Sequence, residues 1–250
     1  PLIEKQTILT QGFIGRGLNH KNTTLGREGS DYTAAIFAYA LDAESVTIWK
    51  DVDGVMNADP RRFENAVLIP KLSYNEAIEL AYYGASVLHP KTIQPLKNKA
   101  IPLYVKSFLD PSKPGTVILE NASRTLNETQ CYIVKDNQSL ITIASKDFSF
   151  IVEDNLEIIF NAFNTAGVQL NLMQNSAISF MACFSADETK SSQLEGLLSD
   201  KFNVDLEKGH TLLTVFNYND GNNELKSIVN NRSIALEQKS SSALQLLLRD

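Results

Sequence analysis

Residues 24–31 read TLGREGSD, and this stretch decides how the first half of the chain folds. Its two glycines permit a tight loop with close backbone approach to a ligand, and Ser30 and Asp31 are typical of a helix start. Arg27 carries a planar fork of donors that suits phosphate or carboxylate oxygens. The stretch predicts an anion-binding loop that leads into a helix, although an ordinary capped surface loop has the same composition.

Strand-like and helical segments alternate on both sides of this loop. The strand-like segments are 8–14, 45–50 and 102–106, and the helical segments are 31–41 and 74–83. Such alternation predicts an α/β fold with a mainly parallel sheet and helices on both faces. Ser73 and Glu76 form a capping box for the helix at 74–83, which Gly84 ends.

The polar segment 120–128 reads as a linker, and a different pattern follows it. Strands are expected at 130–135, 139–144, 168–173, 177–184 and near Val204. A helix that Gly167 ends would place Leu156, Ile159, Phe160 and Phe163 on one face, and a second helix is expected around 191–198. This order is a βαββαβ unit. A shorter copy from residue 212 onward lacks its closing helix and strand. The spare strand at 130–135 would fill the missing edge and make the first unit an insertion within the second.

Composition narrows the class of partner. The chain has 250 residues, a net charge of −6 and a pI near 5.2, with no basic run, which argues against nucleic acid or an anionic membrane. No apolar stretch is long enough to span a bilayer, and no leader is evident, so we expect a cytoplasmic protein.

The cysteines and histidines predict no metal centre. Cys131 and Cys183 lie in strand-like surroundings that suit reduced core thiols. His20, His89 and His210 are scattered, and neither cysteine has a histidine at a ligand-like spacing. We therefore expect structural roles for the histidines and no structural metal.

A second polar segment follows the strand at 45–50. Ligands of open α/β sheets bind at the carboxyl ends of strands, where Asp51 and Asp53 suit a ribose, an amine or a metal-bound water. Lys50 and Arg61 suit phosphates. The same residues also fit ordinary Asp-Gly and Asp-Pro turns. The chain has no Walker-type, His-Arg-Asp or Gly-x-Ser-x-Gly motif, which disfavours P-loop enzymes, typical protein kinases and serine hydrolases.

Three runs in order resemble the aspartokinase family, which has the amino acid kinase fold. They are TLGREGSDYTAA at 24–35, IWKDVDGV at 48–55 with DPR at 59–61, and YGASVLHP at 83–90. The resemblance implies that ATP phosphorylates the side-chain carboxylate of L-aspartate to 4-phospho-L-aspartate, the first step toward lysine, threonine and methionine. Because an aspartate side chain is already ionised at about pH 7, the reaction needs cationic groups and Mg²⁺ more than a base.

The resemblance also implies a domain layout. Residues 1–121 would be the C-terminal portion of the catalytic domain, and 122–250 would be a regulatory region of two ferredoxin-like ACT domains. The first ACT domain would span about 138–209, and the second would combine about 129–137 with 210–250. These domains would bind an amino-acid effector or hold a homodimer together, and both readings stay open.

Residue roles carry over from the same runs. Arg27 would contact the carboxylate of aspartate. Ser30 and Asp31 would hold the same substrate at the start of the helix, and Ser30 would also cap that helix. The ATP side would be formed by Lys50, Asp51, Met56, Arg61 and Ser86. Effector positions would be Asn155, Leu156, Asn171, Asn175 and Ser176.

Several departures limit what the resemblance implies. Lys50 stands where the family commonly has threonine, and Ser86 stands where it commonly has lysine. One hypothesis is that a lysine has moved to the other side of the nucleotide pocket. The family's Lys-Phe-Gly-Gly-Thr-Ser segment is missing, which predicts a fragment with little activity alone. Ala177 replaces the acidic group that pairs with a lysine effector, so threonine or no effector is an equal expectation. The alternative function is a non-catalytic amino-acid-sensing or assembly subunit.

Overall fold

The structure is a computed structural model that describes residues 7–85, 87–120, 129–219 and 223–249. The chain divides into two units, Pro1–Gln130 and Cys131–Asp250. No helix in the described ranges is long and apolar enough to cross a bilayer. Ser86 and the expected linker at 121–128 lie outside the described residues.

The first unit contains six strands and three helices in its described part. In chain order they are β1 (Ile14–Arg16), β2 (Asn22–Thr24), α1 (Gly29–Leu41), β3 (Val46–Lys50), β4 (Lys71–Ser73), α2 (Tyr74–Tyr83), α3 (Pro90–Asn98), β5 (Leu103–Ser107) and β6 (Thr116–Leu119). Helix α3 contacts both α1 and α2, while α1 packs on β3 and α2 packs on β4 and β6.

The main sheet of the first unit is mixed and partly parallel, so the expected parallel pairing is present with one antiparallel step. Its strand order is β3–β5–β6–β4. Strands β3 and β5 are parallel, as are β4 and β6, but β5 and β6 are antiparallel. The antiparallel step arises because β6 follows β5 after a short turn rather than after a helix.

The strand expected at 8–14 is absent from the described residues. Ile8 and Leu9 are exposed at 60% and 97%, and regular structure begins only with the hairpin of β1 and β2. An apolar pattern is insufficient for a strand, because the backbone groups of a strand need a paired neighbour.

The local signals at α2 are confirmed. The Ser73 hydroxyl accepts a hydrogen bond from the Glu76 N–H at 3.2 Å, and Glu76 Oε2 accepts from the Ser73 N–H at 2.7 Å. Gly84 ends the helix with φ of +116°. Because α2 begins directly after β4, this capping box fixes the turn from strand to helix.

The second unit is built on one six-stranded antiparallel sheet. Its elements are β7 (Cys131–Ser145), α4 (Glu153–Thr165), β8 (Leu170–Asn175), β9 (Ser179–Ser185), α5 (Glu188–Leu198), β10 (Phe202–Phe216), α6 (Asn223–Val229), β11 (Ile234–Lys239) and β12 (Ala243–Arg249). The strand order is β11–β12–β10–β7–β9–β8.

Two long central strands join the halves of this sheet. Strands β7 and β10 each run for 15 residues. The sequence predicted two short strands in each place, at 130–135 and 139–144 for β7, and near Val204 and at 212–216 for β10. The second half of β7 pairs with β9 and with the first half of β10, while the first half of β7 pairs with the second half of β10. Each half of the sheet therefore has four strands in the order of a split βαβ unit.

The two sides of the second unit have different cores. One cluster packs α4 and α5 against the sheet through residues such as Ile159, Phe163 and Leu194, all at most 3% exposed. Another cluster takes one residue from each of the six strands: Leu140, Leu172, Cys183, Leu212, Leu236 and Leu247. Both cysteines are buried free thiols, as the sequence predicted.

Candidate functional site

The loop before α1 is a tight turn with left-handed backbone. Gly26 has φ of +81° and Glu28 has φ of +54°, and the Gly29 N–H donates to the Gly26 carbonyl at 3.1 Å. A Cβ at Gly29 would lie 2.8 Å from the Phe13 ring, so this position favours glycine. The turn therefore fixes Arg27 relative to the first turn of the helix.

Ser30 does not cap α1, which corrects that expectation. The helix begins at Gly29, with Glu28 as the N-cap residue and no capping hydrogen bond from its side chain. Ser30 is exposed in the first turn. The loop is held by Thr33, whose Oγ1 donates to the Gly29 carbonyl at 2.8 Å and accepts from the Phe13 N–H at 2.9 Å.

Asp31 and Lys50 form an ion pair that joins the helix to the sheet. Lys50 Nζ lies 2.7 Å from Asp31 Oδ2, and the two side chains are only 22% and 13% exposed. Asp31 belongs to the first turn of α1, whereas Lys50 ends β3. Shielding from water strengthens the attraction relative to a surface pair. A residue predicted for the aspartate side and one predicted for the ATP side are therefore direct neighbours.

Arg27 is a positive charge with no ion-pair partner among the described residues. Its side chain is exposed, and it makes no hydrogen bond or ion pair with any residue that the structure describes. A guanidinium in this condition binds an anionic ligand without first losing a protein partner.

The loop after β3 is anchored by a residue that the sequence analysis missed. Thr116 Oγ1 accepts from the Val55 N–H at 2.9 Å and donates to the Ile69 carbonyl at 2.7 Å. Gly54 has φ of +150°, and a Cβ there would lie 2.6 Å from Thr116 Oγ1. The sequence signal near this residue is the Pro-Gly dipeptide just before Thr116, which predicts a turn at the start of the strand.

The charged residues of the same loop pair with one another. Arg61 binds Asp59 in a fork, with Nε–Oδ1 and Nη2–Oδ2 distances of 3.0 Å. This hydrogen bond lowers the pKa of Asp59 and raises the pKa of Arg61. Asp53 pairs with Lys113 Nζ at 2.7 Å, a partner absent from the sequence prediction. Because these pairs are exposed, a ligand displaces them at little cost.

The remaining ATP-side positions lie in varied surroundings. Asp51 is exposed directly after the Lys50 end of β3. Met56 is partly buried and forms an isolated β-bridge with Leu68. Further along the chain, His89 caps α3, since its Nδ1 accepts from the Lys91 N–H at 3.1 Å.

Two of the predicted effector segments lie side by side in the second unit. The start of α4 includes Asn155, whose Oδ1 accepts from the Val152 N–H at 3.2 Å. The turn between β8 and β9 includes Ser176, and the Ala177 carbonyl there accepts from the Ile151 N–H at 2.8 Å. The helix start and the turn therefore form one neighbourhood.

The other predicted effector positions do not all lie in this neighbourhood, because Asn171 lies further back along β8. Asn175 is exposed at the end of β8, next to Ser176, whereas Leu156 packs into the apolar core. Asn171 lies four residues back along β8, about 13 Å away at the usual rise of a strand. There its Oδ1 accepts from Lys135 Nζ at 2.8 Å.

Comparisons with known proteins agree with this architecture. Residues 2–107 match the amino acid kinase family. Aspartokinase 1, chloroplastic, of Arabidopsis thaliana is 34% identical over 201 residues, covering 80% of this chain and 35% of that protein. The crystal structure of E. coli aspartokinase III in complex with aspartate and ADP is 30% identical, with a TM-score of 0.79, covering 96% of this chain and 56% of that one.

The E. coli enzyme in complex with lysine and aspartate is 31% identical, with a TM-score of 0.75 and the same coverage. The chain thus spans about half of these solved relatives and about a third of the Arabidopsis protein. The matches extend through both units. The chain is therefore related to the aspartokinases, with an amino acid kinase region followed by a region that resembles the aspartokinase regulatory domains.

Proposed function

We propose that the first unit is the acceptor-binding part of an aspartate kinase, which transfers the γ-phosphoryl group of ATP to the side-chain carboxylate of L-aspartate. The observation that carries the proposal is the Asp31–Lys50 pair. It brings the Arg27 loop next to the carboxyl end of β3, so that an anionic acceptor and the phosphates of a nucleotide would meet there. The related E. coli enzyme was solved with aspartate and ADP.

Each side chain has a role that follows from its charge and surroundings. The free guanidinium of Arg27 would bind the acceptor carboxylate, with Ser30 at the helix opening. Lys50, held by Asp31, would place an ammonium between the two anionic reactants. Phosphoryl transfer to an ionised carboxylate needs no base, so positioning and positive charge account for the catalysis.

The nucleotide side would be formed by Asp51, Met56 and Arg61. Arg61 would exchange its exposed pairing with Asp59 for a phosphate. Among the described residues no group of three metal-ligating side chains exists, which is compatible with Mg²⁺, because that ion usually binds substrate phosphates and one or two carboxylates. Asp51 is the suitable carboxylate, since Asp53 is paired with Lys113. When bound, Mg²⁺ neutralises phosphate charge.

We propose that the second unit is a regulatory pair of ACT domains. The first would span about 138–209 and the second would combine 129–137 with 210–250, so that one is inserted into the other. The support is the strand order, in which the first half of β7 completes the second four-stranded half. Regulation by an amino acid, a homodimer held by these domains, a cytoplasmic location and a role in lysine biosynthesis belong to the same proposal.

A non-catalytic amino-acid-sensing or assembly subunit is the second candidate. The Asp31–Lys50 pair also favours it, because a carboxylate that is already neutralised holds the ammonium of a substrate less strongly. The two candidates differ in whether any form of the protein releases ADP when aspartate is supplied.

A coupled ADP-release assay decides between them. It is run on the 250-residue chain and on the longest encoded form of the protein, with ATP, Mg²⁺ and L-aspartate. We expect turnover by the longer form and little by the chain alone, which spans 56% of the related E. coli enzyme. Arg27→Ala should raise KM for aspartate, whereas Arg249→Ala, in the second unit, should not. No aspartate-dependent ADP release by either form supports the sensing subunit instead.

A further inference from the structure

We propose that the second unit binds a small carboxylate at the ammonium group of Lys135. The site is formed by polar side chains on three adjacent strands, β7, β8 and β9: Lys135, Gln138, Asn171, Cys183 and Ser185. Identification of the ligand as an amino-acid effector rests on the proposed regulatory function, whereas the site itself rests on the geometry of these residues.

A chain of amide groups fixes the position of the ammonium. Lys135 Nζ donates to Asn171 Oδ1 at 2.8 Å, and Asn171 Nδ2 donates to Gln138 Oε1 at 2.7 Å. Gln138 is only 1% exposed, and its Nε2 donates to the Asp136 carbonyl at 2.8 Å. The amides are satisfied by one another, so their hydrogen bonds hold Lys135 in one place.

The ammonium has no counter-ion in the described part of the chain. Its one hydrogen-bond partner there is the neutral amide oxygen of Asn171, which leaves two of its three N–H donors for a ligand. Burial lowers the pKa of Lys135 and raises the pKa of the nearby Cys183 thiol to about 12, so the thiol is neutral. Because a partly buried cation among neutral groups is unfavourable, an anion would be bound strongly.

The backbone is irregular on both sides of this network. The β8–β9 register shifts between Leu170 and Leu172, so Asn171 falls within the irregularity. The β10–β7 register shifts on both sides of His210, whose partner is Gln138. Asn137, next to Gln138, has φ of +53°. β-Bulges redirect side chains and are frequent beside binding sites, which accounts for the meeting of Lys135 and Asn171.

The chemistry of the site selects the ligand by charge. The exposed residue Ser185, 3.5 Å from Asn171 Nδ2, brings the network to the surface. A carboxylate matches the free donors of Lys135, and the fixed positive charge disfavours a ligand with a net positive charge. Neutral or acidic amino acids should therefore bind more tightly than lysine.

The test is a titration of the 250-residue protein labelled with carbon-13 at the lysine Cε atoms. The probes are L-threonine, propionate and L-lysine, and the Lys135 signal is assigned by its loss in Lys135→Arg. We expect threonine and propionate to shift this signal and lysine to shift it only at higher concentration. Lys135→Met should weaken threonine binding about 10- to 100-fold, because a charge-assisted hydrogen bond is lost. Lys135→Arg should retain binding.

Lys146→Met is the matched control, because Lys146 Nζ lies in the same unit and donates to the Ser199 carbonyl at 2.7 Å. The inference is overturned if no probe shifts the Lys135 signal or if folded Lys135→Met binds threonine like the unmodified protein. If Lys135→Met does not fold, the inference is tested by the shift of the Lys135 signal in the unmodified protein and by threonine binding to Lys135→Arg. Binding combined with no ADP release by either form of the protein would remove only the kinase proposal, whereas ADP release without binding would remove only this site.

Discussion

Asp31 and Lys50 illustrate what a single residue contributes here. Each was identified from a sequence motif, but their pairing was not predicted, because it depends on how α1 folds back onto β3 across 19 residues of sequence. The pair changes the interpretation of Lys50. A lysine that had crossed to the nucleotide side would be free for phosphates, whereas this one is held by the carboxylate at the acceptor side.

A double-mutant cycle on Asp31→Asn and Lys50→Met measures this pair. We expect a coupling of about 1 to 2 kcal/mol in the free energy of unfolding, between the values for surface and fully buried pairs. Urea unfolding followed by the fluorescence of Trp49, the only tryptophan, reports on the same strand. The Lys99–Asp42 pair is the control, because Asp42 is 77% exposed. Equal coupling energies in the two pairs would contradict the conclusion that the Asp31–Lys50 pair is shielded from water.

Cys183 allows a prediction about reactivity. Cys183 is 0% exposed, and this burial raises the pKa of its thiol to about 12. At about pH 8 almost none of the thiol is therefore in the reactive thiolate form. Iodoacetamide should leave Cys183 unmodified in the folded protein and modify it rapidly in urea, as followed by peptide mass spectrometry. Modification at similar rates in both states would show that the thiol is accessible.

Helices and strands were predictable where short sequence signals decide them. The Ser73–Glu76 box and Gly84 define both ends of α2, because each makes a specific local hydrogen bond or backbone conformation. Strand length was less predictable. Asn137, with φ of +53°, interrupts the apolar pattern as a turn residue would, yet β7 continues through it, because the neighbouring strands β9 and β10 restore the pairing.

Two glycines of the second unit test helix propensity separately from backbone strain. A Cβ at either Gly196 or Gly167 would meet nothing within 4 Å, but only Gly167 has a left-handed φ, of +62°. Gly196 lies inside α5, so Gly196→Ala should stabilise the unit by about 0.5 to 1 kcal/mol. Gly167→Ala should destabilise it by about 1 kcal/mol. Urea denaturation followed by circular dichroism measures both, and destabilisation by Gly196→Ala would contradict the helix position.

At the scale of the whole molecule, the order of elements was more predictable than the direction of strands. The βαββαβ pattern correctly predicted split βαβ strand orders in the second unit, because the pattern leaves few ways to pair the strands. In the first unit, β6 is four residues long and antiparallel to β5. Nothing in Thr116–Leu119 itself specifies that direction, which depends on the length of the preceding turn.

The shared strand β7 leads to a prediction about the whole second unit. Its first half, Cys131–Lys135, pairs with the second half of β10, and Tyr132 and Ile133 are at most 9% exposed. A chain of residues 131–250 should therefore fold alone. A chain of residues 138–250 should have a free energy of unfolding that is several kcal/mol lower, with a loss of about 1.5 to 3 kcal/mol for each large apolar side chain removed. It should also associate through the newly exposed edge of β10.

Urea denaturation and size-exclusion chromatography of the two chains measure these effects, and adding a peptide of residues 129–137 to the shorter chain is the control for rescue. Restored stability would show that the missing element is the strand itself, because the peptide supplies backbone partners and apolar side chains without a covalent link. Equal stability of the two chains would mean that the second half of the sheet is complete without β7. In that case the proposed insertion of one regulatory domain into the other would have no structural basis, since the second domain would not need residues that precede the first.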